Sequence, residues 1–177
     1  DRTHGVYGYG RIGALVAGYG RAFGMRVIAW GRAESLARAT SDGVEPASSE
    51  EALFRDADVL TLHLALNDGT RGLVRQEHLA LMKPTSLFVN TSRAQLVAPH
   101  ALFEALQQGR PGAAAVDVYE HEPVVGGQDP LLSQPNVVAT PHLGYLSREG
   151  LEIMFTTMIG QVEAFERGQP VHVIAAA

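Results

Sequence analysis

Apolar residues fall along the chain in short runs separated by polar, glycine-rich turns, and the runs carry two different periods. Near 3–8, 25–30, 58–63, 86–90, 113–118 and 136–139 they are compact and rich in β-branched or small apolar residues, which predicts strands. Residues 25–30, with Val27 and Ile28 at their centre, suit a strand buried on both faces. Between most of these runs the spacing becomes helical. Ile12, Leu15, Val16, Tyr19 and Phe23 form a stripe that predicts a helix packed through those side chains on the sheet, with Gly24 as its stop. Gly18 and Gly20 each weaken that helix by about 1 kcal/mol relative to alanine, so close packing is expected to compensate at both. Residues 50–55 and 76–82 read as short helices, the second closed by Lys83-Pro84. Pro99 suits the first turn of a helix running to Gln108, with Gly109 beyond its end. Residues 122–135 read as a loop. Leu151, Met154, Phe155, Met158, Val162 and Phe165 predict a final amphipathic helix of about five turns over 151–167, whose stripe needs a partner surface. The alternation of strand and helix predicts an α/β fold with a doubly wound parallel sheet.

Composition narrows the class. The chain has 177 residues, 46% of them apolar and 19% charged, enough for one ordinary domain with a sizeable core. The formal net charge is −5, and the scattered lysines and arginines leave no electrostatic footprint for nucleic acid. The absence of cysteine excludes disulfides, thiolate metal sites and thiol nucleophiles. No apolar run approaches the roughly 20 residues that span a bilayer, and no secretory leader is recognised. A cytoplasmic protein without membrane contact is therefore expected. The seven histidines show no HxH or HxxxH spacing and no GxSxG is present, so neither a metal enzyme nor a serine hydrolase is expected. The chain opens on Asp1-Arg2-Thr3-His4 and enters its first strand almost at once, which suggests a segment upstream.

Three strings carry chemistry. The first, Gly8-Tyr9-Gly10-Arg11-Ile12-Gly13, lies between a predicted strand and a predicted helix, the setting that aims backbone N–H groups and a helix dipole at a pyrophosphate. Gly8 would permit the tight turn, Gly10 the approach of phosphate, and Gly13 the close packing of helix on sheet. After the second strand, where an acid would hold the ribose hydroxyl of NAD, the chain reads Trp30-Gly31-Arg32. An arginine without that acid favours a 2′-phosphate, so NADP is expected over NAD. The second string, Asn90-Thr91-Ser92-Arg93, follows a strand and puts Arg93 where open α/β sheets bind ligands, able to clamp a carboxylate. The third comprises Asp117 and Glu122-Pro123, then Thr140-Pro141-His142. An imidazole exchanges protons near neutral pH, and a carboxylate beside it would orient the ring.

Taken with His63-Leu64-Ala65-Leu66 and Thr70-Arg71-Gly72, these strings run in one order through nearly the whole chain, and the sequence resembles the D-isomer-specific 2-hydroxyacid dehydrogenases. The resemblance implies a Rossmann-type dinucleotide-binding domain over 1–146, with 147–177 as a helix and tail left from a substrate domain. It implies hydride exchange between a nicotinamide cofactor and a small 2-oxoacid or D-2-hydroxyacid. By it Arg93 grips the substrate carboxylate, His142 is the general acid/base and Glu122 holds the histidine. Gly8, Gly10, Arg11, Ile12, Gly13, Gly31, Arg32, His63, Thr91 and Asp117 would line the cofactor, and a homodimer would form through this domain. Two residues depart from the family pattern: Ala65 stands where proline is frequent, and His4 lies in a strand that is usually apolar. Corepressors of the same fold keep the same arginine, glutamate and histidine. A cofactor-sensing regulator is therefore the alternative to an enzyme, and an inactive cofactor-domain fragment is the third reading.

Overall fold

The computed structural model describes residues 2–174. Seven parallel strands form one sheet: β1 (Thr3–Tyr7), β2 (Arg26–Trp30), β3 (Glu45–Pro46), β4 (Val59–Leu62), β5 (Leu87–Asn90), β6 (Ala113–Val116) and β7 (Val137–Ala139), in the order β3-β2-β1-β4-β5-β6-β7. The order reverses between β1 and β4, and a parallel sheet opens its ligand crevice at that point, outside the carboxyl ends of the strands. The helices are α1 (Arg11–Ala22), α2 (Ala33–Ser41), α3 (Glu50–Asp56), α4 (Gln76–Ala80), α5 (Ala101–Gln107) and α6 (Arg148–Glu166). The chain divides into two units after His142. The first holds the sheet and α1 to α5; the second holds α6.

The larger core layer joins Phe54, Leu60, Leu62, Leu79, Met82 and Phe88, where α3, α4 and α5 cover one sheet face. A smaller layer of Val6, Tyr9, Ala17, Val27, Ala29, Ala39 and Val44 lies with α1 and α2. In it the expected packing of α1 is reversed. Ile12, Leu15, Tyr19 and Phe23 are 63% to 84% exposed, whereas Gly13, Ala17 and Gly20 are buried. The helix lies too close to the sheet for large side chains. A Cβ on Gly13 would stand 2.2 Å from the Gly8 carbonyl oxygen, and one on Gly20 would stand 2.5 Å from His4 Nδ1. Gly20 therefore compensates by close packing as expected, but Gly18 faces open space.

Other elements differ from expectation at their ends. Gly24 does follow α1, at φ +73°. Pro99 lies outside α5, which starts at Ala101 after His100 takes a left-handed φ of 62° as its N-cap. The loop over 122–135 contains a 3-10 turn at Pro130–Ser133, capped by Asp129. Helix α6 begins nearly a turn earlier than its apolar stripe suggests, because Ser147 Oγ accepts the Gly150 amide at 2.9 Å. Its Ile153, Phe155, Val162 and Phe165 are exposed. None of the helices among the described residues is long and apolar enough to cross a membrane.

Candidate active site

Because all strands run the same way, the segments leaving β1, β2, β4, β5, β6 and β7 gather at one edge of the sheet. The segment after β1 is the glycine loop. Gly8 takes φ +96°, which a side chain rarely tolerates, and its amide donates to Trp30 O at 2.8 Å. A Cβ there would lie 2.6 Å from the His63 carbonyl oxygen. Tyr9 turns inward, with its hydroxyl donating to Asp42 Oδ2 at 3.0 Å, while Arg38 Nη2 donates to the Tyr9 carbonyl at 3.1 Å. Gly10 is the N-cap of α1 in an extended conformation, and a Cβ on it would meet nothing within 4 Å. The outer side of the loop is thus vacant next to the first amides of α1, while both flanking glycines are forced by backbone contact. That combination fits a pyrophosphate: room for the group, and N–H donors with a helix dipole directed at it.

Gly31 packs against the loop, 3.8 Å from Gly8 Cα if a Cβ is added, and Arg32 follows as the N-cap of α2. The Arg32 and Arg11 side chains are exposed, and no hydrogen bond or ion pair engages the Arg32 guanidinium among the described residues. Glu34 lies in the first turn of α2.

After β5, Asn90 builds the turn that carries Arg93. Its Nδ2 donates to Arg93 O at 2.9 Å, its Oδ1 accepts the Ser92 amide at 3.1 Å, and Ser92 Oγ donates to Leu64 O at 2.9 Å. Arg93 and Thr91 are exposed there. After β6, Asp117 is buried and accepts a 2.5 Å bond from Thr140 Oγ1, tying the ends of β6 and β7 together. Tyr119 adds a second tie, its hydroxyl donating to Thr140 O at 2.8 Å.

These ties bring Glu122 and His142 into contact across 20 residues, with His142 Nδ1 2.6 Å from Glu122 Oε2. The other carboxylate oxygen of Glu122 accepts the Tyr119 amide at 2.9 Å. Burial alone would raise the Glu122 carboxyl, but the Tyr119 amide, His142 and the charge of Arg93 outweigh it and hold it below its ordinary value. The carboxylate is therefore ionised at neutral pH and fixes which ring nitrogen faces it. Arg93, Glu122 and His142 line one cleft of about 370 Å³, together with Leu66, Tyr119 and Arg71. Arg71 is a second cation in that cleft whose role the sequence did not reveal, although it stands in one of the matching strings.

His63 follows β4 beside the glycine loop, with its ring bonded to Thr61. Burial, with His4 adding to the effect, pulls its pKa down to about 4. Hence the glycine loop with Gly31, Arg32 and His63 forms one group of the expected residues. Thr91, Arg93, Asp117, Glu122 and His142 form the other.

This arrangement defines an α/β dinucleotide-binding domain with an imidazole, a carboxylate and a guanidinium at its ligand edge. The family model described as D-isomer specific 2-hydroxyacid dehydrogenase, NAD binding domain, matches residues 1–144, and the chain belongs to that family. Glyoxylate reductase of Aeropyrum pernix is 40% identical over 168 residues, 95% of this chain and 50% of that protein. D-3-phosphoglycerate dehydrogenase of Methanocaldococcus jannaschii is 39% identical over 168 residues, 95% of this chain and 32% of that protein. The crystal structure of a putative D-3-phosphoglycerate dehydrogenase from Ralstonia solanacearum superposes with a TM-score of 0.94 at 49% identity, over 97% of this chain and 50% of that one. The chain therefore spans half or less of the length of these relatives. Solved structures of lower identity hold cofactors. An acyclic imino acid reductase, 30% identical with a TM-score of 0.78, is in complex with NADPH, and a D-lactate dehydrogenase from Aquifex aeolicus, 31% identical with a TM-score of 0.78, with NAD and lactic acid.

Proposed function

We propose that this chain is the cofactor-binding and acid/base half of an oxidoreductase that interconverts a small 2-oxoacid and its D-2-hydroxyacid. The observation that carries the reading is the 2.6 Å contact between His142 and Glu122 in a cleft shared with Arg93. A bound nicotinamide dinucleotide would supply or accept the hydride. Gly8, Gly10, Gly13 and the first amides of α1 would hold its pyrophosphate. Arg93 would pair with the substrate carboxylate through two parallel hydrogen bonds, which orients the neighbouring 2-carbon. With Nδ1 committed to Glu122, His142 exchanges its proton with the 2-oxygen from Nε2. In reduction the carbonyl carbon gains a hydride and its oxygen gains that proton; oxidation returns both. Glu122 keeps the ring in one tautomer and stabilises the imidazolium that forms when a hydroxyacid gives up its proton.

Arg32 supports NADP as the cofactor, since an exposed guanidinium after β2 with no acid before Glu34 suits a 2′-phosphate. Membership of a dehydrogenase domain family, with no membrane-crossing helix among the described residues, supports a cytoplasmic location; fractionation of cells expressing the tagged protein tests it, and recovery in the membrane pellet would contradict it.

The activity is tested by following NADPH absorbance with glyoxylate, hydroxypyruvate and pyruvate. His142→Asn is expected to lower the turnover number by roughly 10²–10⁴ fold. Glu122→Gln is expected to lower it less, with cofactor affinity unchanged in both. No turnover with any of the three acids, or full activity in His142→Asn, would contradict the proposal.

A further inference from the structure

A cavity of about 460 Å³ lies between the start of α5 and the loop after β6, a size common among small-molecule sites. It meets the cleft of Arg93 and His142 only at Ala94, Tyr119 and Glu120. Its floor is apolar: Val97, Leu102, Val116 and Val118 are buried there, and Phe103 is half-buried. The loop supplies the opposite wall. Gly126 and Gly127 take consecutive φ of +69° and +67°, and this turn brings Val124 and Val125 before it and Asp129 to Leu131 after it to the same cavity.

Charge on the lining has one sign. No lysine or arginine lines the cavity, whereas the carboxylates of Glu120 and Asp129 do; its imidazoles, His100 and His121, add no charge above the usual histidine range. Glu120 Oε1 accepts the His100 amide at 3.3 Å, and Asp129 Oδ1 accepts the Leu131 amide at 2.9 Å. The second oxygen of each has no hydrogen-bond partner among the described residues. The negative field reaches the cavity wall: burial first, then the charges of Asp129, Asp117 and Glu122, hold the Tyr119 hydroxyl above its ordinary value. A neutral apolar ligand would strip water from both free oxygens without replacing it, and an anion would be repelled by them. An ammonium group satisfies them.

We infer that this cavity binds a small apolar amine, its ammonium group meeting Glu120 and Asp129 and its body covering the floor, and that occupancy moves Glu122 against His142. The second part follows from two shared residues. Tyr119, whose amide Glu122 accepts, and Pro123, which follows Glu122, both line the cavity. A ligand there bears on both sides of the carboxylate that makes the 2.6 Å contact with His142. Neither part needs the activity proposed above.

The test is ¹³C-methyl NMR of the valine-labelled 177-residue chain at pH 8, titrated with tryptamine, with tryptophol as its neutral counterpart and indole-3-propionate as an anionic one. Val97, Val116, Val118, Val124 and Val125 all line the cavity, so the spectrum locates the ligand. Tryptamine is expected to shift these signals but not those of Val6, Val27 and Val44 in the other core layer, with a dissociation constant on the order of 1 mM or tighter. Tryptophol should bind about tenfold more weakly, and indole-3-propionate more weakly still. Glu120→Gln/Asp129→Asn keeps an acceptor for the His100 and Leu131 amides and should reduce tryptamine to the affinity of tryptophol. In a ¹⁵N-histidine sample the His142 ring signals should move along the same saturation curve. No shift of the five valines, or equal affinity for the three probes, overturns the amine site, and those spectra need no variant to fold. Unchanged tryptamine affinity in the double variant overturns it as well. A His142 signal that stays fixed while the valines saturate overturns the coupling to Glu122.

Discussion

Gly13→Ala is expected to weaken dinucleotide binding by roughly ten- to a hundredfold, because the added methyl would stand 2.2 Å from the Gly8 carbonyl oxygen and 3.3 Å from Val6 Cγ1. The first contact is with the strand-to-helix loop and the second with β1. The helix must therefore lift from the sheet or the loop must open, and overpacking of this kind costs about 1–3 kcal/mol. Isothermal titration with NADPH measures the loss, and urea unfolding measures the accompanying loss of stability. Gly10→Ala separates the two effects. A Cβ at Gly10 meets no protein atom and its backbone is extended, so the substitution should leave the unfolding midpoint nearly unchanged. It should still weaken binding, since the methyl would occupy the space assigned to the pyrophosphate. Undiminished binding in both variants would show that the ligand lies elsewhere.

Acid is expected to destabilise the sheet domain well before its carboxylates are neutralised. Burial pulls His63 to about 4 and also lowers His4 from the ordinary histidine value of 6.5. The folded state thus takes up these protons later than the unfolded state does. The stability that depends on neutral rings is complete above pH 6.5 and declines as the pH falls from 6.5 toward 4, where the folded His63 itself titrates. A shift of that size in His63 alone corresponds to roughly 3 kcal/mol. Urea midpoints at pH 7.5 and 5.0 should therefore fall steeply in the wild type and much less in the double variant His4→Leu/His63→Asn. Equal slopes in the two proteins would contradict the assignment.

The parallel sheet was legible because each strand is a compact apolar run, and the two-residue β3 was missed because Glu45 and Pro46 carry no such run. Helix α1 shows how periodicity can be right and its direction wrong. Ile12, Leu15, Tyr19 and Phe23 repeat at helical spacing, but so do Gly13, Ala17 and Gly20, and the small stripe faces the sheet. A glycine stripe that contains the last residue of the phosphate loop was the available signal, since that glycine exists to let helix and sheet approach. In the site, His142 and Glu122 were legible from the order of their strings. What joins them was not: the Tyr119 amide on Glu122 and the Thr140–Asp117 bond depend on how β6 and β7 end. Arg71 reaches the cleft from a turn whose position no local pattern reveals, and His4 looked like a misplaced polar residue until the register set it beside Thr61.

The most direct test of the whole account is a titration of the 177-residue chain with NADPH and NADH, followed by cofactor fluorescence in the wild type and in Arg32→Ala. Saturable binding of both dinucleotides is expected, tighter for NADPH, with that preference lost or reversed in the variant while NADH affinity is unchanged. Saturable binding without a preference would remove Arg32 and NADP from the account but leave the domain's role intact. Binding of neither dinucleotide would contradict its central claim.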